Sequence, residues 1–261
     1  MGYKEFWDKR ATGKTRYKGE EFYTITPLPY YVKRRELLLE MILPSIMRAD
    51  NVLDFGCGDG WYINYFNRVR KTIDKHTVSG FDISSEMVKT ARSMNPGSEV
   101  FQSIDEISPC QKFDLIYAFA VLAHIPNGIL TDVLENLYNL LNPGGSIILF
   151  EQVGAFEYGN SQFTRRKTDT YLRLIEDRGF EKQEALIFSF SSHRIFERHI
   201  AKLYYKMLGG NNTEKRLTAN SHGLFRVLSR LFLVFDRNPL VHPSKSEWGN
   251  LLLIAKKPGH G

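Results

Sequence analysis

Long apolar runs, cysteine clusters and an N-terminal leader pattern are all missing from this 261-residue sequence. No stretch of about 20 consecutive apolar residues occurs, which argues against a membrane-spanning helix. Only two cysteines are present, at Cys57 and Cys110, so neither a disulfide framework nor a zinc site of closely spaced Cys and His is expected. The first residues lack the apolar core of a signal peptide. These absences predict a protein of the reducing cytoplasm.

The composition is that of a folded globular chain with an uneven charge distribution. Hydrophobic residues make up 43% and charged residues 25% of the sequence, which supports a full core in one elaborated domain or two small ones. The formal net charge is +6. Residues 194–237 hold nine Lys or Arg against three Asp or Glu, an excess equal to that of the whole chain. Such a concentration indicates an anionic partner.

The most informative local pattern is the glycine-rich stretch 51–60, Asn-Val-Leu-Asp-Phe-Gly-Cys-Gly-Asp-Gly. Its apolar start suits a buried strand that ends near Asp54, and the apolar and aromatic residues over 61–70 predict a helix. Glycines allow positive φ and leave the backbone bare for a ligand, while the start of a helix offers unpaired N–H groups. The stretch therefore predicts the first half of a nucleotide-binding βαβ unit.

The spacing of these glycines separates two classes of nucleotide-binding protein. The dinucleotide fingerprint G-x-G-x-x-G would need a glycine where Trp61 stands, and the third glycine comes one residue earlier. The pattern V-L-D-x-G-C-G-x-G resembles the first motif of the S-adenosylmethionine-dependent methyltransferases with a Rossmann-like fold. The resemblance implies S-adenosyl-L-methionine as the cofactor, with Asp54, Gly56, Cys57, Gly58 and Gly60 at its site.

Two further stretches are similar to motifs of that family that contact the nucleoside. In Gly-Phe-Asp-Ile-Ser the acid is Asp82, which the resemblance places on the ribose hydroxyls with Ile83 beside it; a plain helix-capping acid is the alternative. Ser84 is expected to cap the following helix. After a short third strand the family has an acid and an apolar residue at the adenine. This sequence departs from that pair, so the candidates are Ser103, Ile104 and Asp105.

A fourth strand is predicted over 113–119, and the residues after it suggest the chemistry. The stretch through His124 resembles one that follows the cofactor site in many small-molecule methyltransferases, which implies that Phe119 or Ala120 lies at the methionine end of the cofactor. Methyl transfer from a sulfonium is an in-line displacement with a neutral leaving group, so the protein chiefly aligns the acceptor and excludes water.

An alcohol acceptor would usually need a base. His124 is the first candidate, and Glu151 and His193 follow. The alternative for a lone histidine in an apolar run is a structural role.

Alternating strands and helices predict an α/β fold: a Rossmann-like, seven-stranded, mostly parallel sheet with helices on both faces. An N-terminal helical cap, 1–48, precedes a methyltransferase core formed by 49–190 and 246–258, whose last strand is expected over 249–256. Within the cap, a short helix carries Phe6 and Trp7, residues 10–18 are expected to form a loop, and the helix over 31–47 is expected to be interrupted near Pro44.

A basic amphipathic helical insertion, 191–245, separates the sixth and seventh strands. Three interpretations stay open for it. It can be a helical pair with a solvated basic face, a surface that binds an anionic membrane through 194–237, or a lid over a soluble anionic substrate. Nucleic acid is disfavoured, because the second predicted helix, 224–235, is too apolar to bind phosphates.

The sequence thus predicts an S-adenosylmethionine-dependent methyltransferase that acts on a small or lipid-linked acceptor, such as an anionic glycan or isoprenoid. One alternative is a methyltransferase of a soluble metabolite, and another is a cofactor-binding partner subunit without catalysis. No metal-binding pattern is visible. The expected location is the cytoplasm, with membrane association left open, and neither the acceptor atom nor the oligomeric state follows from the sequence.

Overall fold

The computed structural model describes residues 3–11, 15–17, 20–22, 29–159, 163–190, 192, 195–207, 223–236, 240–241 and 248–259. The chain divides into two compact units. The first, here called the core unit, comprises Met1–Asp8, Pro44–Phe188 and Val241–Gly261. The second, the helical unit, comprises Lys9–Leu43 and Ser189–Leu240.

The helices and strands follow one another in the alternation that the sequence predicts. The described helices are α1 (Tyr3–Ala11), α2 (Pro29–Arg48), α3 (Trp61–Arg70), α4 (Ser85–Met94), α5 (Asn127–Leu140), α6 (Thr168–Glu176), α7 (Lys202–Met207) and α8 (Gly223–Phe235). A π-helix covers Phe196–Ala201, and short 3₁₀ helices cover Lys71–Ile73, Ile104–Glu106 and Leu122–His124.

The described strands are β1 (Thr15–Tyr17), β2 (Glu20–Phe22), β3 (Val52–Phe55), β4 (Ser79–Phe81), β5 (Val100–Phe101), β6 (Phe113–Phe119), β7 (Leu141–Val153), β8 (Tyr158–Gly159), β9 (Thr164–Arg165), β10 (Glu181–Phe188), β11 (Leu240–Val241) and β12 (Gly249–Lys256).

The core unit is built on a mostly parallel sheet with the strand order β10-β12-β7-β6-β3-β4-β5. Strands β3 to β7 all run parallel to one another, whereas β12 is antiparallel to its two neighbours, β7 and β10. Since β10 and β7 are both antiparallel to β12, they run in the same direction. The two-residue strand β11 extends the sheet beside β10. The seven-stranded Rossmann-like sheet predicted from the sequence is therefore confirmed.

The central strands are buried because helices cover both faces of a parallel sheet. Leu53, Ile116, Leu149 and Leu253 come from four adjacent strands and belong to one apolar core. Strand β6 is a nearly continuous apolar run, because its side chains are buried on both faces of the sheet. The parallel strands all end at one edge of the sheet, which is where ligands bind in folds of this kind.

Local signals account for the helix boundaries around that edge. The Ser84 hydroxyl accepts a hydrogen bond from the Met87 N–H (3.3 Å) and so caps α4, as predicted. The buried face of α4 is formed by Met87, Val88 and Ala91. The buried Arg70 guanidinium donates to the Ile46 carbonyl in the last turn of α2, which helix geometry leaves without a partner, and to the carbonyls of Ala49 (2.9 Å) and Asp50 (2.7 Å) just beyond the helix.

Two predictions for the N-terminal region differ from the structure. Part of the predicted loop 10–18 is β1, which pairs antiparallel with β2. Helix α2 also continues through Pro44 without interruption. Proline removes a single N–H from the helix, and burial of Leu38, Ile42 and Ile46 on the flanking turns stabilises the continuous form. Pro29 opens this helix at the position where a missing N–H costs nothing.

The helical unit has a small apolar core of its own. Phe196, Ala201 and Phe225 are buried together, with Ile200, Leu228 and Phe232 packed against them. Among the helices that the structure describes, none is both long enough and apolar enough to cross a membrane.

Candidate cofactor site

A cavity of about 250 Å³ lies in the core unit at the carboxyl ends of β3, β4 and β6. Its walls are mainly apolar, with one carboxylate and one imidazole among them. Eight residues predicted from the sequence line it: Gly56, Gly58, Asp82, Ile83, Ile104, Phe119, Ala120 and His124. The fold therefore brings together residues that are up to 68 positions apart in the sequence.

The glycine loop at the floor of this cavity is held by hydrogen bonds to the next strand. The N–H groups of Gly56 and Cys57 both donate to the Phe81 carbonyl, at 2.7 and 2.9 Å. Gly58 has φ +55°, and a Cβ built on it would have no atom within 4 Å. Gly56 has φ +78°, and a Cβ there would lie 2.4 Å from a Val121 methyl group. Gly58 thus leaves the backbone bare beside the cavity, and Gly56 allows Val121 to pack closely against the loop.

Asp82 joins the glycine loop to the start of α4. Its Oδ2 accepts from the Gly58 N–H and its Oδ1 from the Ser84 N–H, both at 2.9 Å. Burial raises the pKa of Asp82, and the two backbone hydrogen bonds oppose that rise. Each carboxylate oxygen has a second lone pair, so the side chain can still accept hydrogen bonds from a ligand in the cavity.

Helix α1 reaches the same cavity through Trp7. The neighbouring Asp8 accepts hydrogen bonds from the hydroxyls of Ser84 (2.6 Å) and Ser85 (3.3 Å) at the start of α4. The Trp7 ring lines the cavity and meets the His124 ring edge to face, with centroids 4.9 Å apart. The sequence marked this helix as part of a cap but did not single out Trp7 as a wall of the site.

His124, at the wall of the cavity, is held between two aromatic rings. Its ring centroid is 4.9 Å from that of Trp7 and 5.3 Å from that of Phe163. It ends the short 3₁₀ helix after β6, in which its own N–H donates to the Val121 carbonyl (2.9 Å). Packing on both sides restricts the directions in which the imidazole can point.

Glu151 organises the segment that carries His124. Its Oε1 accepts from the N–H groups of Val121 (2.9 Å) and Leu122 (2.7 Å), and its Oε2 accepts from that of Ala123 (3.2 Å). Burial raises the pKa of Glu151 to about 7, although these three hydrogen bonds oppose the rise. Glu151 was a candidate base, but it is fully engaged with the backbone and is absent from the cavity wall. The other candidate, His193, lies outside the described residues.

Arg166 holds the same segment from the opposite side. Its guanidinium is buried and donates to the carbonyls of Leu122 (2.6 Å) and Ile125 (2.8 Å), and to Asn127 Oδ1 (2.6 Å). Glu151 thus binds the N–H groups of residues 121–123, and Arg166 binds carbonyls of residues 122–125. Buried groups of opposite charge fix this short loop between β6 and α5.

Three predicted residues of the glycine motif lie behind the cavity wall. Asp54 is buried under the loop beside Tyr117, and burial raises the pKa of its carboxyl well above the ordinary value. The Cys57 thiol is buried too, which raises its pKa. Gly60 faces α4, where a Cβ would lie 2.6 Å from Asn95 Nδ2. These residues shape the loop from behind.

The three adenine candidates are separated by their positions around a short 3₁₀ helix. Ser103 caps it by accepting from the Asp105 N–H (3.3 Å), and Asp105 is exposed. Ile104 lines the cavity. Of the three, the structure thus brings the apolar side chain to the site.

Sequence reasoning anticipated Ala120 beside Phe119, but neither its backbone conformation nor the rest of the wall. Ala120 has φ 57°, a left-handed conformation that non-glycine residues rarely adopt, and it lines the cavity directly after β6. Further apolar walls are contributed by Met87, Val121, Ile125, Ile129 and Val133. The spacing of Ile129 and Val133 by four residues was a visible signal, because it places both on one face of α5.

Comparison with known proteins places this site in a family. A family model described as a methyltransferase domain matches residues 29–195. The trans-aconitate 2-methyltransferase of Rhizobium etli is 30% identical over 112 residues, 42% of this chain and 41% of that protein. The malonyl-[acyl-carrier protein] O-methyltransferase 2 of Ilyobacter polytropus is 25% identical over 157 residues, 58% of this chain and 57% of that protein. The matched region thus spans about half the length of these relatives.

A solved structure shows the same fold along almost the whole chain. The N-methyltransferase NodS from Bradyrhizobium japonicum, in complex with S-adenosyl-l-homocysteine, superposes with a TM-score of 0.58 at 12% identity. The match covers 99% of this chain and 100% of that one. The family match covers well over half of the chain, so this chain belongs to the methyltransferase-domain family, as a class I member whose cofactor is S-adenosylmethionine.

Proposed function

We propose that this chain transfers a methyl group to an oxygen atom of a small or lipid-linked acceptor that carries negative charge. The observation that carries the proposal is a single cavity whose walls include the bare Gly56–Gly58 backbone, the Asp82 carboxylate and the His124 imidazole. The first two can hold a nucleoside, and the third faces the place left for an acceptor.

The residues present fit the cofactor. S-adenosylmethionine supplies an electrophilic methyl group when it is bound. Asp82 would accept hydrogen bonds from the ribose hydroxyls, because its carboxylate already lies at the wall with lone pairs to spare. Ile104 would pack on the adenine, and Gly58 would leave room for the chain of the methionine. Phe119 and Ala120 would border that chain on the other side.

The walls around His124 suit the work that methyl transfer requires. Apolar side chains exclude water, and rigid aromatic neighbours keep the imidazole in one orientation. A hydroxyl acceptor would give its proton to the neutral imidazole of His124. A carboxylate acceptor is already ionised, so the same ring would only hold it by a hydrogen bond.

Two observations favour an anionic acceptor. The two relatives named above are called after trans-aconitate and a malonyl thioester, both of which are carboxylic acids. Beyond His124, the Phe163 ring has the Arg165 guanidinium 5.9 Å from its centroid. Positive charge close to the acceptor side would attract an anion.

Cofactor binding is tested first, by calorimetry with S-adenosylhomocysteine. Asp82→Ala should weaken binding by about 1–3 kcal/mol, because charge-assisted hydrogen bonds are lost. The matched control is Asp105→Ala, which removes an exposed acid outside the cavity and should leave the affinity within about twofold. If Asp82→Ala bound S-adenosylhomocysteine with unchanged affinity, Asp82 would not hold the ribose hydroxyls.

Turnover is tested by the release of S-adenosylhomocysteine and by the mass of the product, with short dicarboxylic acids, their alcohol analogues and lipid-linked anions as acceptors. For an alcohol acceptor we expect the rate to rise with pH as His124 loses its proton, and we expect His124→Gln to abolish that rise. For a carboxylate acceptor the profile should be flat through the same range. Cofactor binding without turnover on any acceptor would favour a non-catalytic partner subunit instead.

A further inference from the structure

Helix α8 of the helical unit has two apolar faces, and one of them builds the core of that unit. Phe225 and Phe232 pack on Phe196 of the π-helix, with ring centroids 5.2 and 5.4 Å apart. Leu228 lies on the same face and joins this cluster. The spacing of three and four residues places these side chains on one side of the helix.

The other apolar face of α8 is exposed to solvent. Leu231 is 51% exposed and Phe235 75% exposed. Five residues with helical spacing form this face, here called the exposed stripe: Leu224, Val227, Leu231, Val234 and Phe235. On α7, Leu203 and Met207 lie one turn apart and are exposed too. Contiguous exposed apolar surface of this kind marks an interaction site.

The charged residues of α7 and α8 are all cations, and Asp236, directly after α8, accepts a hydrogen bond from the Ser192 N–H (3.0 Å). Neither α7 nor α8 contains an acidic residue. Lys202 and Lys206 of α7 and Arg230 of α8 are exposed. By the helical period, Arg230 lies about 40° from Val234 around the axis, at the margin of the stripe. Apolar side chains bordered by cations form a surface that complements an apolar phase with an anionic boundary.

We propose that the exposed stripe, with the cations of α7 and α8, docks on the surface of an anionic lipid membrane. Helix α8 has 13 residues, so it is about 20 Å long and too short to span a bilayer. It would lie in the plane of the interface, with the stripe at the acyl boundary and the cations among the headgroups. Each lysine or arginine near such a surface strengthens binding about fivefold.

Charge favours a membrane over a second copy of this chain. A twofold interface would place the same surface on both partners and would bring two sets of the cations Lys202, Lys206 and Arg230 close together. Anionic headgroups would neutralise these cations while the stripe is buried. Docking of this kind requires no methyl transfer, so it can be tested separately from the proposed function.

The test is co-sedimentation of the full chain with vesicles of phosphatidylcholine alone or mixed with phosphatidylglycerol. We expect binding to the anionic vesicles that weakens as salt is added. Val227→Ser combined with Leu231→Ser should weaken that binding about tenfold, because buried apolar area is lost. The matched control is Ile73→Ser, which removes an exposed isoleucine of the core unit and should leave vesicle binding unchanged.

A variant with fewer cations separates the electrostatic contribution to vesicle binding from the apolar contribution. Lys202→Gln combined with Lys206→Gln should remove most of the preference for anionic over neutral vesicles. Circular dichroism and binding of S-adenosylhomocysteine should be unchanged in both double variants, which establishes that they are folded. Absence of wild-type binding to anionic vesicles at low salt would overturn the proposal. So would a dimer, seen by light scattering, that Val227→Ser with Leu231→Ser dissociates, because a second copy would then cover the stripe.

Discussion

One leucine of the core unit and one of the helical unit have opposite surroundings. Leu149, in the middle of β7, is 1% exposed, whereas Leu231, in the middle of α8, is 51% exposed. Both stand in strongly apolar segments, so the local sequence does not distinguish them. The difference lies in what covers the segment: helices cover both faces of the sheet, while one face of α8 is uncovered. An apolar run therefore predicts an element, and its surroundings decide whether the element is core or surface.

Breaking the glycine loop should produce the largest effect. Gly58→Val places a branched side chain at φ +55° in open space beside the cavity, so binding of S-adenosylhomocysteine should become undetectable by calorimetry. Gly97→Val is the matched control, because the nearest atom to its Cβ would be 4.0 Å away at Thr77. Near-native affinity in folded Gly58→Val would show that the loop does not hold the cofactor.

The comparison of the two leucines can be tested directly. Leu149→Ala should lower the free energy of unfolding by about 2–5 kcal/mol, because it opens a cavity in the core. Leu231→Ala should change it by less than about 0.5 kcal/mol. Urea denaturation of both variants gives the two values. A large loss in Leu231→Ala would mean that the exposed stripe is covered in solution.

Glu151 should make stability depend on pH. Its pKa in the folded protein is about 7 against an ordinary 4.5, so the folded state binds this proton more tightly. The resulting stabilisation is complete below pH 4.5 and is lost as pH rises through about 7. Over this pH range the free energy of unfolding of the wild type should fall by about 3 kcal/mol relative to that of Glu151→Gln.

Urea denaturation of both proteins at several pH values measures that difference. Other titrating groups are common to both proteins and cancel in the comparison. If the free energy of unfolding depended on pH in the same way in both proteins, the pKa of Glu151 would not be raised. Glu151 would then contribute to stability only through its three backbone hydrogen bonds.

The smallest expected effect concerns Ala120. A left-handed φ of 57° strains an alanine but not a glycine, so Ala120→Gly should stabilise the folded protein by about 0.5–1 kcal/mol. Ala118→Gly, two residues earlier in β6, should destabilise it by about 1–2 kcal/mol, because glycine gains freedom in the unfolded chain and the buried Ala118 methyl group is lost. Equal effects at the two positions would show that Ala120 is unstrained.

The sequence by itself determined most helices and strands of the core unit and the type of cofactor. The helix over 61–70, the strand over 113–119 and the strand over 249–256 lie where they were predicted, because apolar periodicity and glycine breaks are local signals. The glycine motif and Asp82 were also recognisable, since their conformations and chemistry depend on near neighbours.

Only the tertiary structure decided which side chains reach the cavity. Trp7 comes to His124 from far along the chain, and Glu151 is turned onto the backbone of residues 121–123 rather than toward an acceptor. The strain at Ala120 likewise arises where β6 must turn beside the glycine loop. Contacts between distant segments depend on how the whole sheet and its helices pack. The spacing of residues within one segment therefore does not predict them.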